Sequence, residues 1–156
     1  MTTLTAAQLK TFIEQPFAFI QRIGLKALLM EPRQVKLGLP LAGNENHIGI
    51  MYAGALFTLA EIPGGALYLT TFDVEKFYPV LKEMKIRFRR PAHTDVTVEA
   101  RLSEAEAERI ATEAQQQGRA EFVLHTEVKD AQGQVVAETE GIYQLRAHKP
   151  PTTEKA

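Results

Sequence analysis

Tyr52-Ala-Gly-Ala-Leu-Phe-Thr-Leu-Ala-Glu-Ile-Pro-Gly-Gly-Ala-Leu-Tyr-Leu-Thr70 (YAGALFTLAEIPGGALYLT) is the most apolar segment of the chain. It is far longer than a usual strand of about five or six residues, so it reads as a buried helix. Pro63-Gly64-Gly65 strains that reading, because proline in a helix interior costs about 3 kcal/mol. A kink or distortion is expected there, and glycines at this place would let the helix back lie close against a sheet.

Outward from this segment the pattern changes to period two. Val35, Leu37 and Leu39 alternate with Lys36 and Gly38, which reads as one half-buried strand within residues 25–39. Past a loop over 71–78, Met84, Ile86 and Phe88 alternate with Lys85, Arg87 and Arg89, and Val96, Val98, Ala100 and Leu102 alternate with Thr97, Glu99 and Arg101. Ser103-Glu-Ala-Glu106 matches a capping box opening a short exposed helix that ends at Gly118. Two further strands, about 119–129 and 134–146, flank a turn at Asp130-Ala-Gln-Gly133. Ahead of all this, Leu9, Phe12, Ile13, Phe17 and Ile20 predict one or two amphipathic helical pieces broken near Pro16, a lid or packing arm. The order predicts an α+β domain over 1–147, an antiparallel β-sheet wrapped around a long central α-helix, with a disordered tail over 148–156.

Composition narrows the chemistry. The 156 residues are 45% hydrophobic, which fits one domain with one core. A net charge of -1 with dispersed Lys and Arg argues against nucleic acid. There is no cysteine, which excludes disulfides, thiolate chemistry and Cys-ligated metals, and the lone serine, Ser103, is not in a Gly-x-Ser-x-Gly context. His47, His93, His125 and His148 are scattered without metal-ligand spacing, and no phosphate-binding glycine loop is present. The start MTTLTAAQLKTFIEQ lacks the pattern of a signal peptide, and no apolar run reaches a membrane span, so a cytoplasmic protein without membrane partner, metal or redox cofactor is expected.

Glu61 is the anomaly in the apolar segment. Burial raises a carboxyl pKa toward the range useful to a general base, whereas an acid turned to solvent or paired with an arginine needs no function. Both readings stand on the acid alone. At the helix start, the amides of Tyr52, Ala53 and Gly54 would be unpaired donors able to polarise a carbonyl oxygen, or an ordinary helix start in a glycine-containing loop. At about 1.5 Å per residue these amides and Glu61 are roughly 10–12 Å apart, yet each must come within about 3 Å of one reacting centre. Cooperation therefore requires two antiparallel helices, which a two-fold homodimer supplies with two equivalent sites.

The stretch Asn46-His-Ile-Gly-Ile-Met-Tyr-Ala-Gly54 followed by Glu61 resembles the hotdog-fold acyl-CoA thioesterases, in particular the phenylacetate-type (PaaI-like) branch. That branch carries Asn-x-x-Gly-x-x-His-Gly-Gly, then six residues, then an acid. Asn46, Gly49, Gly54 and Glu61 match in register, and MKIRFRRP (84–91) and the closing strands with Asp130-x-x-Gly133 follow the same plan over most of residues 23–146. The resemblance implies dimers with sites at the interface, and often tetramers. It implies Glu61 as the base activating water or as the nucleophile, Ala53 and Gly54 amides on the thioester carbonyl, and Asn46 orienting the water or carboxylate. Tyr52 stands where the branch has histidine and Ala53 replaces the first glycine; a tyrosine hydroxyl donates a hydrogen bond but does not carry a proton near neutral pH as imidazole does. Gly65 occupies a turn where some relatives place a hydroxyl.

Lys85, Arg87, Arg89 and Arg90 are candidates for coenzyme A phosphates, or form a solvated sheet face. His47 and Gly49 lie in the motif loop near the expected substrate, and Leu56, with Phe57, Leu59 and Ile62, either lines an acyl pocket or packs the core. The expected activity is hydrolysis of an acyl-CoA or an acyl-carrier-protein thioester. Its rival is a hotdog protein that binds an acyl thioester or fatty acyl group without turnover, and a hydratase is disfavoured by the lack of a paired catalytic His and acid.

Overall fold

The computed structural model describes residues 4–148. Two short helices, α1 (Ala6–Glu14) and α2 (Ala18–Ile23), precede strands β1 (Lys26–Glu31) and β2 (Gln34–Leu39); then come α3 (Ala53–Thr71), β3 (Phe77–Phe88), β4 (Val96–Arg101), α4 (Glu104–Gln117), β5 (Arg119–Asp130) and β6 (Val135–Ala147). The strands form one antiparallel sheet in the order β1-β2-β4-β5-β6-β3. This is the expected α+β architecture, a sheet with a long helix against its inner face.

The apolar segment is the helix α3, and helical conformation runs unbroken across Pro63. Its buried residues Ala55, Leu56, Leu59, Ala60, Pro63, Gly64, Ala66 and Leu67 recur at three- and four-residue spacing, so one face packs on the sheet. Leu59 and Leu67 meet Val35, Leu37, Val98, Val128 and Leu145 in a shared, fully buried core. The opposite stripe, Phe57, Glu61 and Gly65, is only partly covered.

The arm breaks at Pro16 as expected, with α1 opened by a capping box in which Thr5 Oγ1 accepts from Gln8 N and Thr5 N donates to Gln8 Oε1. Ile13 and Ile20 anchor the arm in the core, and Glu14 Oε1 accepts from Ala27 N at 2.8 Å, tying α1 to β1.

Four expectations need correction. Residues 25–39 hold a hairpin, β1 and β2, turned at Pro32 and Arg33, whose φ is 63°. The run KALLME has no clean period-two alternation because β1 carries a bulge between Ala27 and Leu29, which puts the apolar residues out of step. Strand β3 begins at Phe77, inside the expected loop; Pro79 falls within it, and β3 tolerates proline because it is an edge strand. The capping box at α4 is half formed: Ser103 Oγ accepts from Glu106 N, while the Glu106 carboxylate turns to Arg109. Of the expected tail, His148 is placed against Tyr78, with ring centroids 5.2 Å apart, and 149–156 lie outside the described residues.

Candidate active site

The residues singled out by sequence fall into two places on one chain. The first is a cleft of about 360 Å³ at the N-terminus of α3, where Asn46, Ala53 and Leu56 meet Phe88, Arg89 and Arg90 from the end of β3 and the residues after it. Loop 44–52 is clamped there by two backbone bonds, Met51 N to Ala92 O (2.9 Å) and Tyr52 N to Asn44 O (2.8 Å). The Tyr52 amide is therefore occupied, contrary to the expectation that it is free. The amides of Ala53 and Gly54, in the first turn of α3, find no partner among the described residues.

Asn46 shapes this loop. Its Oδ1 accepts from Ile48 N (3.0 Å) and Ile50 N (3.3 Å), leaving its side-chain NH2 without a partner among the described residues. Gly49 adopts φ 82°, the left-handed turn that reverses the loop, and His47 beside it is exposed; neither lines the cleft. Tyr52 is 59% exposed, and its ring lies over Gly54, where an added Cβ would stand 2.4 Å from Tyr52 Cε1. Glycine at 54 thus admits the tyrosine ring to the mouth of the helix.

The second place is a groove of about 400 Å³ between α3 and the arm, on whose wall Glu61 and Gly65 sit together. The groove is otherwise apolar, with Phe12, Phe17, Ile20 and Ile62 among its residues. Glu61 is half-buried and has no ion-pair or hydrogen-bond partner for its carboxylate among the described residues, and burial holds its pKa above the ordinary carboxylate value. A poorly solvated carboxylate beside an apolar groove, its proton affinity raised by burial, is equipped to take a proton from water or to attack an electron-poor carbonyl carbon.

The arm, expected from sequence as a lid or packing arm, supplies much of the groove. One feature of this second place was not read from sequence. Tyr143 of β6 donates from its hydroxyl to the backbone oxygen of Glu61 at 3.0 Å, tying the acid's turn of helix to the sheet. Its ring, stacked on Phe122, occupies the space that Gly64 and Gly141 leave open. The glycines were visible in the sequence; the ring between them was not.

The arginines divide. Arg89 donates from Nη2 and Nε to Glu138 Oε2 (2.6 and 2.9 Å), Arg90 from Nη1 to Gln134 Oε1 (2.9 Å), and Lys85 lies within 3.6 Å of Glu140, so the cations on and just after β3 are engaged by β6 and the turn before it. Arg89 and Arg90 also line the Asn46 cleft, whereas Arg87 does not. A further cavity, about 600 Å³, lies elsewhere, among residues such as Lys36, Glu99 and Lys129, and contains none of the candidate site residues. No group of His, Asp and Glu able to hold a metal is found among the described residues, and no helix among them is long and apolar enough to cross a membrane.

A family model described as "Domain of unknown function (DUF4442)" matches residues 5–143. A Pseudomonas aeruginosa structure described as a protein of unknown function and "Probable Thioesterase" is 54% identical, with 93% of this chain and 97% of that one covered at a TM-score of 0.90. A Chlorobaculum tepidum protein of unknown function (18% identity, 95% and 100% coverage, TM-score 0.80) and a Haemophilus influenzae thioesterase (13% identity, 97% and 96% coverage, TM-score 0.73) share the fold. No curated protein matches.

Proposed function

The chain belongs to the DUF4442 family, and we propose that it hydrolyses acyl thioesters, with Glu61 as general base or nucleophile. One observation carries this: the unpaired, half-buried carboxyl on the wall of an apolar groove, raised in pKa by burial. The description of the 54% identical Pseudomonas aeruginosa protein as a probable thioesterase supports the same reading.

The separation along α3 supports a dimer. Ala53 and Glu61 are eight residues apart, about 12 Å of helix, so one chain offers carbonyl-polarising amides in one cleft and the acid in another. A two-fold partner with its α3 antiparallel would bring the Ala53 and Gly54 amides of one copy to Glu61 of the other. Strand β3, 12 residues long, is paired among the described residues only with β6, and its other edge is one on which such a partner can continue the sheet. In this assembly Asn46 donates from its free NH2 to the water or to the Glu61 carboxylate, and Arg89 and Arg90 meet the phosphates of a coenzyme A thioester at the cleft. A cytoplasmic acyl-CoA thioesterase whose loop motif resembles that of the phenylacetate-type branch, as a dimer or a tetramer and with the acyl group left open by the motif, is the finer form of this reading.

A second reading, binding without turnover, is favoured by Tyr52, whose ring lies over Gly54 and narrows the approach to the amides. Release of free CoA from short, medium, long and aromatic acyl-CoAs decides between them. Release that Glu61→Gln abolishes supports hydrolysis; acyl-CoA that binds and stays intact supports the binding protein.

A further inference from the structure

Gly65 is out of place in a central helix. Glycine costs helix stability relative to alanine, and at most such positions a close neighbour explains it. Gly64 has one, since its Cβ would meet the Tyr143 ring at 2.0 Å. At Gly65 an added Cβ would meet nothing within 4 Å among the described residues, and its φ is not in the left-handed region, so neither their packing nor backbone geometry accounts for the glycine. What lies beyond it is the groove under the arm, one turn of helix from Glu61.

That groove is built rather than incidental. Ile13 and Ile20 bury their side chains in the core, and the Glu14 carboxylate holds Ala27 N, so the arm is fixed in place. Yet Phe12 and Phe17 remain 56% and 57% exposed and line the groove. Two phenylalanines held open to solvent by an anchored arm are a wall awaiting an apolar occupant.

We propose that the groove between the N-terminal arm and α3 is the seat of a straight aliphatic acyl chain of medium or greater length, and that Gly65 sets how far the chain reaches. The size argues for a chain over a ring: an apolar cavity of about 150 Å³ accommodates benzene, and this groove, at about 400 Å³, is more than twice that. A phenyl group would leave much of it unfilled and an acetyl group nearly all. The identity of the chain's head group rests on the thioester reading; the seat itself does not.

The test separates the two. Binding of straight-chain primary alcohols of increasing length, neutral and inert to hydrolysis, is measured by calorimetry for the wild type, Gly65→Ala and Gly65→Leu, alongside CoA release from saturated acyl-CoAs. For the wild type, affinity is expected to rise roughly fourfold per added methylene until the groove is full. Gly65→Leu, directed into the groove, is expected to level off at shorter chains and to bind the longest alcohol at least about tenfold more weakly than the wild type. Gly65→Ala, the gentler change, is expected to move the same way by less. No length dependence, or an identical profile in all three proteins, overturns the seat, as does a Gly65→Leu protein that changes oligomeric state while its chain-length profile stays that of the wild type. Thioester cleavage whose chain-length optimum ignores Gly65→Leu rejects the seat and keeps the hydrolase; alcohol binding lost in Gly65→Leu, with no thioester cleaved by the wild type, keeps the seat and rejects the hydrolase.

Discussion

Adjacent glycines in one helix are expected to respond in opposite directions to the same substitution. Replacing either by alanine gains about 1 kcal/mol of helix propensity. At Gly65 nothing opposes the gain, because the new Cβ enters open space, so Gly65→Ala should stabilise the fold by about 0.5–1 kcal/mol. At Gly64 the new Cβ would stand 2.0 Å from Tyr143 Cε1 and 2.4 Å from Cζ. The ring has no escape: it is 3% exposed, stacked on Phe122, and pressed on its far side by Gly141, where a Cβ would stand 2.5 Å from Cε2. Overpacking of this kind costs about 1–3 kcal/mol, and moving the ring breaks the hydroxyl bond to the Glu61 carbonyl, worth about 1 kcal/mol. Net of propensity, Gly64→Ala should destabilise by roughly 1–3 kcal/mol, placing the two variants about 2–4 kcal/mol apart, or roughly 5–15 °C in Tm for a chain of this size. Thermal and urea unfolding at one fixed protein concentration measures this, since association would itself shift the midpoints. Tyr143→Leu should recover part of the loss in Gly64→Ala, because the two sites are in contact and their effects do not add. A Gly64→Ala protein as stable as the wild type would refute the reasoning.

Glu61→Gln should be more stable than the wild type at neutral pH. The folded-state pKa of Glu61 lies above its ordinary value of 4.5, so the wild type loses stability as pH rises from that value through the raised one, and glutamine does not; urea midpoints between about pH 4 and 8 should diverge upward with pH, and a pH-independent gap would reject the burial argument. Arg89→Ala should cost no more than about 1 kcal/mol, because both partners of the Arg89 and Glu138 pair are 42% exposed. If Arg89 meets coenzyme A phosphate, the same change raises KM for an acyl-CoA and leaves kcat near the wild-type value; steady-state kinetics with an unchanged KM would remove it from the site.

What could be read before the structure was what repeats along the chain. The length and apolarity of 52–70, the alternation in β2, β3 and β4, and the Ser103 and Gly118 boundaries of α4 all carry their information locally, and each is present. The strand β1 escaped because a bulge between Ala27 and Leu29 puts its alternation out of step, and the start of β3 escaped because a proline there is permissible only on an edge, a property of the whole sheet. The site divides the same way. Glu61 was conspicuous as a charge in an apolar run, and arithmetic on helix rise already separated it from the amides at Ala53 and Gly54. The closure of the groove by the arm, and the engagement of the Tyr52 amide with Asn44, depend on segments distant in sequence and had no local signal.

Pro63, Gly64 and Gly65 are three residues hostile to a helix, consecutive, in the helix on which the fold depends. A chain selected for helix stability alone would carry none of them there, and each has a different consequence. Pro63 has no N–H, so the Leu59 carbonyl receives no bond from it and the ladder loosens in the turn that holds Glu61. Gly64 admits the Tyr143 ring, whose hydroxyl bonds the Glu61 carbonyl and fixes that loosened turn from the sheet. Gly65 leaves the groove open one turn further on. The local propensity lost at these positions is offset by the burial of Leu59 and Leu67 on either side, both with no exposed surface. Stability is thus anchored at the flanks of the segment, while between them Gly64 packs tightly on Tyr143 and Gly65 stays open, so that one carboxyl is held in place beside an apolar space.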